Sequence, residues 1–229
     1  FTRSWSSAAS DVYMRQVLNM YENYPFWATF FKELGFRVVL SPFSTRKIYE
    51  KGMESIPSES ECYPAKLSHG HVQWLIDQGV KTIFHPCVFY EHQETKQAQN
   101  HYNCPIVVSY AENLKNNVEA ISNGDVHYIR PFIAFTSEKT AADRLVKTAA
   151  EEWSIPAKEV RAAVHKAWAE QQQAKADIRA EGQRRLTEME AKGGRGIVLA
   201  GRPYHIDPEI NHGIPELISS YGLTVFTED

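Results

Sequence analysis

Val80-Lys81-Thr82-Ile83-Phe84-His85-Pro86-Cys87 decides the fold. Val80 to Phe84 is a short apolar run with β-branched residues, and Pro86 stops it, so it reads as a buried strand. Upstream, Tyr63 to Asp77 carries Leu67, His71, Trp74 and Leu75 at helical spacing, and Gly79 closes that helix. Further back, Phe36 to Leu40 is another buried strand, ended by Pro42, and Thr45 to Gly52 predicts a short helix between the two. Val17 to Leu34, crowded with Tyr21, Tyr24, Phe26, Trp27, Phe30, Phe31 and Leu34, reads as a helix or a strand end leading into one, stopped at Gly35. Downstream, Pro105 to Ser109 predicts a third strand, and Val126 to Ala134 a further strand or an exit loop. Strands alternating with helices at this spacing imply βαβ units and a parallel sheet.

The composition then shifts. Glu138 to Trp153 predicts a helix with Ser137 as its N-cap, interrupted by Ser154-Ile155-Pro156. Ala157 to Lys192 is long and highly charged, with Val160, Val164, Trp168, Ile178, Leu186 and Met189 as a sparse apolar stripe, and reads as a solvated connector helix ended by Gly193-Gly194. Gly196 to Ala200 predicts a strand, Gly201 to His205 a loop, Pro208 to Tyr221 a helix and Leu223 to Phe226 a strand. Two strands are marginal as an independent sheet, so either they join the first sheet or, the favoured expectation, the polypeptide continues past Asp229.

The bulk properties narrow the class. The 229 residues are 43% hydrophobic and 23% charged, with a formal net charge of −3. That charge speaks against a nucleic-acid or anionic-membrane surface. No apolar run approaches the roughly 20 residues of a membrane helix. Phe1 to Asp11 is Ser-rich without an apolar centre, so it is no signal peptide, and the missing initiator Met predicts processing or a longer parent chain. An odd number of cysteines without secretory features predicts a reducing, cytoplasmic setting.

Cys62, Cys87 and Cys104 form no Cys-x-x-Cys pair, so zinc-ribbon and ferredoxin signatures are absent. Their placement is informative. Cys62 stands at a predicted helix start, Cys87 just after a strand and Cys104 just before a predicted one. Ligands of open parallel sheets gather outside the carboxyl ends of strands, beside helix N-termini, where a thiolate is favoured. Structural thiols, a metal site and a mixed Cys/His zinc site all remain open, the last because His69, His71, His85, His92 and His101 lie near the cysteines. Gly201-Arg-Pro-Tyr-His205, between a strand and a helix, reads as an ordinary turn or an anion-holding loop. No phosphate-binding loop, complete dinucleotide fingerprint or catalytic triad order is present.

A set of motifs resembles one family: Val17-Leu-Asn-Met-Tyr-Glu-Asn-Tyr-Pro-Phe-Trp27, Ser41-Pro42, Ser44-Thr45-Arg46, Pro57-Ser-Glu-Ser60, Cys62-Tyr-Pro-Ala-Lys-Leu67 with His69-Gly-His71, Pro86-Cys87, Asn100-His-Tyr-Asn-Cys-Pro105, Gly201-Arg-Pro-Tyr-His-Ile-Asp207 and Asn211-His-Gly213. They are similar to the DUF2229 region of proteins described as activators of (R)-2-hydroxyglutaryl-CoA dehydratase, or CoA-substrate-specific enzyme activases. Val12-Tyr-Met-Arg-Gln16 departs from the Ile-Gly-Ile-Pro-Arg kind of strand found there. The family's wider relatives, the 2-hydroxyacyl-CoA dehydratase subunits, hold an iron–sulfur cluster on three cysteines between Rossmann-like domains. The resemblance therefore implies a [4Fe-4S]-type cluster on Cys62, Cys87 and Cys104, lost in an aerobic preparation that stays folded.

The resemblance further implies polar lining of the cysteine pocket from Asn19, Glu22, Ser58, Glu59, Lys66 and His101, with Ser58 and Glu61 as a rival capping box. The expected fold class is α/β: a Rossmann-like parallel-sheet domain over residues 12–135, a helical connector over 136–194 and the start of a second α/β unit over 195–229. The expected function is a module of the dehydratase/activase system, in electron transfer or CoA-thioester dehydration. Its rival is a non-catalytic docking module. The implied partners are a fused or associated ATP-dependent activator domain, whose ATPase motif is absent from this segment, and a dehydratase subunit.

Overall fold

A computed structural model describes residues 11–14 and 17–228. The Ser-rich N-terminal segment, Arg15 and Gln16 lie outside them. Strands β1 (Asp11–Met14), β2 (Arg37–Leu40), β3 (Thr82–Phe84) and β5 (His127–Ile129) form a parallel sheet in the order β2-β1-β3-β5. The departure from the family's first strand thus leaves a strand in place, and β1 sits inside the sheet, paired to both β2 and β3. The β3/β5 pairing runs on as β4 (Cys87–Tyr90) against β6 (Phe132–Ala134). The His85 N–H donates to the Ile129 carbonyl at 2.8 Å and the Cys87 N–H to the Pro131 carbonyl at 2.9 Å, bridging the two stretches. Pro86 and Pro131 have no N–H to give, so the ladder is interrupted where they stand, but its register carries through and shifts only between Val88 and Tyr90.

The strand side chains alternate between two cores. Phe84, Val88 and Ile129 face one cluster with α2 (Tyr24–Glu33), α7 (Glu138–Trp153) and α8 (Ala157–Ala191). Ile83, Cys87 and Tyr128 face the other, with α4 (Tyr63–Asp77) and α5 (Pro105–Asn117). This period of two is the pleat at work. The short α1 (Asn19–Glu22) precedes α2, α3 (Arg46–Gly52) lies against α4, and α6 (Glu119–Ser122) follows α5.

The segment Pro105 to Ser109 is not a strand. It opens α5, with Pro105 in the first turn, where its missing N–H costs nothing, and Val107, Tyr110, Ala111 and Leu114 buried at helical spacing. The β-branched residues at its start imitate a strand when read over five positions only. Cys104 therefore precedes a helix. The long helix α8 is likewise no solvated connector throughout. Val160, Ala163, Val164 and Ala167 are buried against α2 and α7, and Gln171, 8% exposed, plugs the α1–α2 junction. Its Oε1 accepts from the Phe26 N–H at 3.1 Å and its Nε2 donates to the Glu22 carbonyl at 2.8 Å.

Strands β7 (Gly196–Leu199) and β8 (Thr224–Thr227) pair in parallel as a separate sheet. The helix expected from Pro208 to Tyr221 is two, α9 (Pro208–Asn211) and α10 (Ile214–Ser220), broken where His212 (φ 53°) and Gly213 (φ 76°) take the left-handed conformation. The loop from Gly201 contains a 3-10 turn, Pro203–Ile206, which packs on α1.

Candidate functional site

Cys62 and Cys104 are the N-caps of α4 and α5, with nearly the same backbone: φ −66° and ψ 148° for Cys62, φ −61° and ψ 148° for Cys104. Pro64 and Pro105 set the first turns. Neither thiol bonds its own helix, so the first-turn N–H groups carry no side-chain cap. Both cysteines are exposed. Both helix dipoles put positive charge behind a thiol, the environment that stabilises negative charge. Cys87 is fully buried at the start of β4 and faces the α4/α5 side, the same side as the other two.

Glu61 ties the start of α4 to α5, accepting from the Tyr110 hydroxyl at 2.8 Å and from Asn113 Nδ2 at 2.7 Å. It is therefore not the partner of Ser58 in a capping box. The helix begins at Tyr63, so Ser58 lies too far upstream to cap it, and its hydroxyl pairs with Ser60 at 2.7 Å instead.

The 3-10 turn of the second sheet's loop closes the site. Tyr204 is only 7% exposed and belongs to the same apolar cluster as Cys87. Burial pushes its phenol above the ordinary range. Arg202 opposes that rise, and Cys104, Cys62 and Glu22 add to it. Arg202 Nη2 donates to Glu22 Oε1 at 2.5 Å and to Asn103 Oδ1 at 2.9 Å, pinning the loop to α1 and to the residue before Cys104. A cavity of about 530 Å³ opens here, lined by Cys104, Asn103, Tyr102, Arg202 and Tyr204. A second, of about 230 Å³, shares Arg202 and adds Glu22, Glu91, Asn23, His101 and Lys175. Glu91 Oε1 accepts from Asn103 Nδ2 at 2.7 Å and Oε2 from Asn23 Nδ2 at 3.2 Å. Burial holds the Glu91 carboxyl above its usual value, against the pull of those amides, Arg202 and Lys175.

Of the six polar residues expected to line the site, Glu22 and His101 reach the cavity beside Arg202. Among the described residues His101 Nδ1 is buried without a hydrogen-bond partner, and its ring lies 4.9 Å from that of Tyr90. Asn19 is buried in α1, its Nδ2 also without a partner among the described residues. Ser58, Glu59 and Lys66 form a group of their own before and at the start of α4, where Lys66 Nζ donates to the Glu59 carbonyl at 2.7 Å. Arg202, Tyr204, Asn103 and Glu91 were not anticipated. The Gly201 to His205 loop drew notice as an anion turn, but its Arg202 N–H is met by His205 Nδ1 at 3.1 Å and its guanidinium is turned to Glu22.

A buried polar chain fastens the same loop from below. Ser41 Oγ lies 2.8 Å from His71 Nδ1, His71 Nε2 lies 3.1 Å from Ser44 Oγ, and Ser44 Oγ donates to Asp207 Oδ2 at 2.7 Å. On the rim, the Tyr63 hydroxyl donates to Glu209 at 2.7 Å.

Among the described residues no group of three or more His, Cys, Asp or Glu side chains is gathered closely enough to hold a metal ion, and no helix is long and apolar enough to cross a membrane. Two exposed thiols stand on helix N-termini, and a third, buried thiol faces the same side of the sheet. No curated protein and no solved structure matches the chain. A family model described as the CoA enzyme activase uncharacterised domain (DUF2229) matches residues 12–229, and the chain belongs to that family.

Proposed function

We propose that this chain is an iron–sulfur module of a dehydratase/activase system, with Cys62, Cys104 and Cys87 as the thiolate ligands. The observation that carries the reading is the matched pair of cysteine N-caps on α4 and α5, on the side of the sheet to which Cys87 points. Three thiolates leave one iron of a [4Fe-4S]-type cluster without a cysteine, and when bound such a cluster supplies electrons and a Lewis-acid position. The protein's own part is to hold the ligands on rigid helix starts and to offset their negative charge with dipoles and Arg202. It also closes one side with the Tyr204 turn. Glu22 and His101 supply polar groups at the edge.

The strand order β2-β1-β3-β5 with helices on both faces supports a Rossmann-like unit over residues 12–135, a connector over 136–194 and a second α/β unit over 195–229. Family membership supports a cytoplasmic setting beside an ATP-dependent activator domain, with a dehydratase subunit as partner. A docking role without catalysis is the rival, favoured by the exposed apolar side chains of the second unit: Val198 at 60%, Leu217 at 56% and Tyr221 at 75%.

Anaerobic reconstitution with ferrous iron and sulfide, then gel filtration and iron and sulfide analysis, tests the reading. Wild-type protein is expected to retain both elements, and the Cys62→Ser/Cys104→Ser double variant is expected to lose them. Wild-type protein that keeps no more iron than the double variant contradicts it.

A further inference from the structure

The second parallel pair carries a cavity of its own, apart from the cysteines. About 410 Å³ of space lies beyond the carboxyl ends of β7 and β8, lined by residues 199–201 and 227–228, by the 3-10 turn and α10, and by Tyr63 and Pro64 of the first unit. That edge is where open parallel sheets take their ligands, and the volume suits a small organic molecule. Most of the wall is aliphatic: Leu199, Ile206, Ile210, Ile214 and Pro215. Ile206 and Ile214 stay 44% and 49% exposed, so apolar surface faces the opening instead of closing it.

The polar groups of this cavity are gathered around Gly201. Its N–H donates to Glu228 Oε2 at 3.3 Å. A Cβ there would lie 2.6 Å from His205 Nδ1, so only a glycine lets the imidazole ring lie so close. His205 Nδ1 accepts from the Arg202 N–H at 3.1 Å, and the ring stands edge-on to Tyr204 with centroids 4.8 Å apart. With Nδ1 accepting, the neutral ring carries its proton on Nε2. One N–H donor and one carboxylate acceptor thus meet beside the residue that follows β7, in an otherwise aliphatic cavity.

We propose that this cavity binds a small aliphatic carboxamide. Its chain lies against the isoleucines, its carbonyl accepts from His205 Nε2–H, and its amide N–H donates to Glu228. The head group follows from the pair. A carboxylate brings no donor and meets the charge of Glu228, and an ammonium brings no acceptor for His205. A carboxamide supplies both in one planar group. The proposal involves no metal and is independent of the reading of the cysteines.

Hexanamide, hexanoate and hexylamine are the probes, titrated into the metal-free protein at about pH 8, where imidazole is neutral. Binding is followed by amide shifts in nitrogen–proton correlation spectra. Hexanamide is expected to shift the Gly201, His205 and Ile214 amides saturably, with hexanoate about tenfold weaker. Glu228→Gln removes the charge that rejects hexanoate and should bring it within about threefold of hexanamide. Gly201→Ala displaces the ring and should weaken hexanamide about tenfold with circular dichroism unchanged. Hexanamide that causes no saturable shift, or shifts centred on the exposed Leu217 and Tyr221, overturns the proposal. Hexanoate that binds wild type as well as hexanamide does, or gains nothing from Glu228→Gln, overturns it too. A preference for hexylamine would mark a cation site on Glu228 alone and would overturn it equally.

Discussion

Glu91 illustrates how much a single residue at the edge of the site is strained by its surroundings. Its carboxyl is enclosed by the Asn23 and Asn103 amides, with Arg202 and Lys175 nearby, yet burial dominates and raises its affinity for a proton above the ordinary 4.5. The folded chain therefore binds a proton more tightly than the unfolded chain in the window above pH 4.5, and stability falls as pH rises through that window. Urea midpoints measured across this range should decline for wild type and decline less for Glu91→Gln. Identical slopes would remove Glu91 from the account. None of this is legible in the sequence, where Glu91 is one acid in a polar loop. The cysteines are different: their positions at the ends of elements, each with a proline within two residues, could be read directly. Arg202 and Tyr204 could not be tied to them, because Arg202 meets Glu22 across 180 residues of chain through a docking contact that no local pattern records.

At the scale of elements, the position of the α4 N-terminus depends on how closely α3 and α4 cross. A Cβ on Gly70 would lie 1.8 Å from the Ile48 carbonyl oxygen, and one on Gly52 would lie 2.2 Å from the Gly70 nitrogen. Two backbones meet there with no room for a side chain. Gly70→Ala should cost about 3 kcal/mol by forcing the helices apart, at the upper end of what overpacking costs. Chemical denaturation checks it, and a loss below about 0.5 kcal/mol would show that the crossing relaxes freely. The helix α4 from Tyr63 to Asp77, and α7 from Glu138 to Trp153 with Ser137 accepting from the Thr140 N–H, follow the sequence pattern to the residue. Both are long, periodic and clearly bounded. Helix α5 escaped because Ile106-Val107-Val108 is β-branched and the helical spacing emerges only when Tyr110 and Leu114 are included. The Ser58–Glu61 spacing met the rule for a capping box, but the helix begins elsewhere, and a spacing rule carries no information about which N–H groups are near.

For the whole molecule, the second parallel pair depends on the first unit for its place. The polar chain from Ser41 through His71 and Ser44 to the fully buried Asp207, with Asp207 Oδ1 also accepting from the Glu209 N–H at 2.9 Å, is the buried half of that dock. Asp207→Ala removes the carboxylate that accepts from the buried Ser44 hydroxyl, leaving it only His71, and the side-chain cap of the Glu209 N–H, a loss of about 1–3 kcal/mol. Amide hydrogen exchange should accelerate from Gly201 to Asn211 and stay slow in α2 and α4. Unchanged exchange in that loop would mean that the dock is held by Arg202 and Tyr63 alone. The parallel sheet, the long helix and the second strand pair were all legible in outline, since each is a run of apolar or charged residues. Their mutual packing was not, because Gln171 and Asp207 look like surface residues until the elements that bury them are assembled.

The central claim is that Cys62, Cys104 and Cys87 serve one site. Alkylation mapped by mass spectrometry, before and after anaerobic reconstitution with iron and sulfide, tests it most directly. In the metal-free folded chain, exposed Cys62 and Cys104 should react and buried Cys87 should not. After reconstitution all three should be protected, and a chelator should restore the reaction of Cys62 and Cys104 together, at matching rates. Cys62 and Cys104 that react equally fast with and without iron and sulfide, or that become protected independently of each other, would contradict the account.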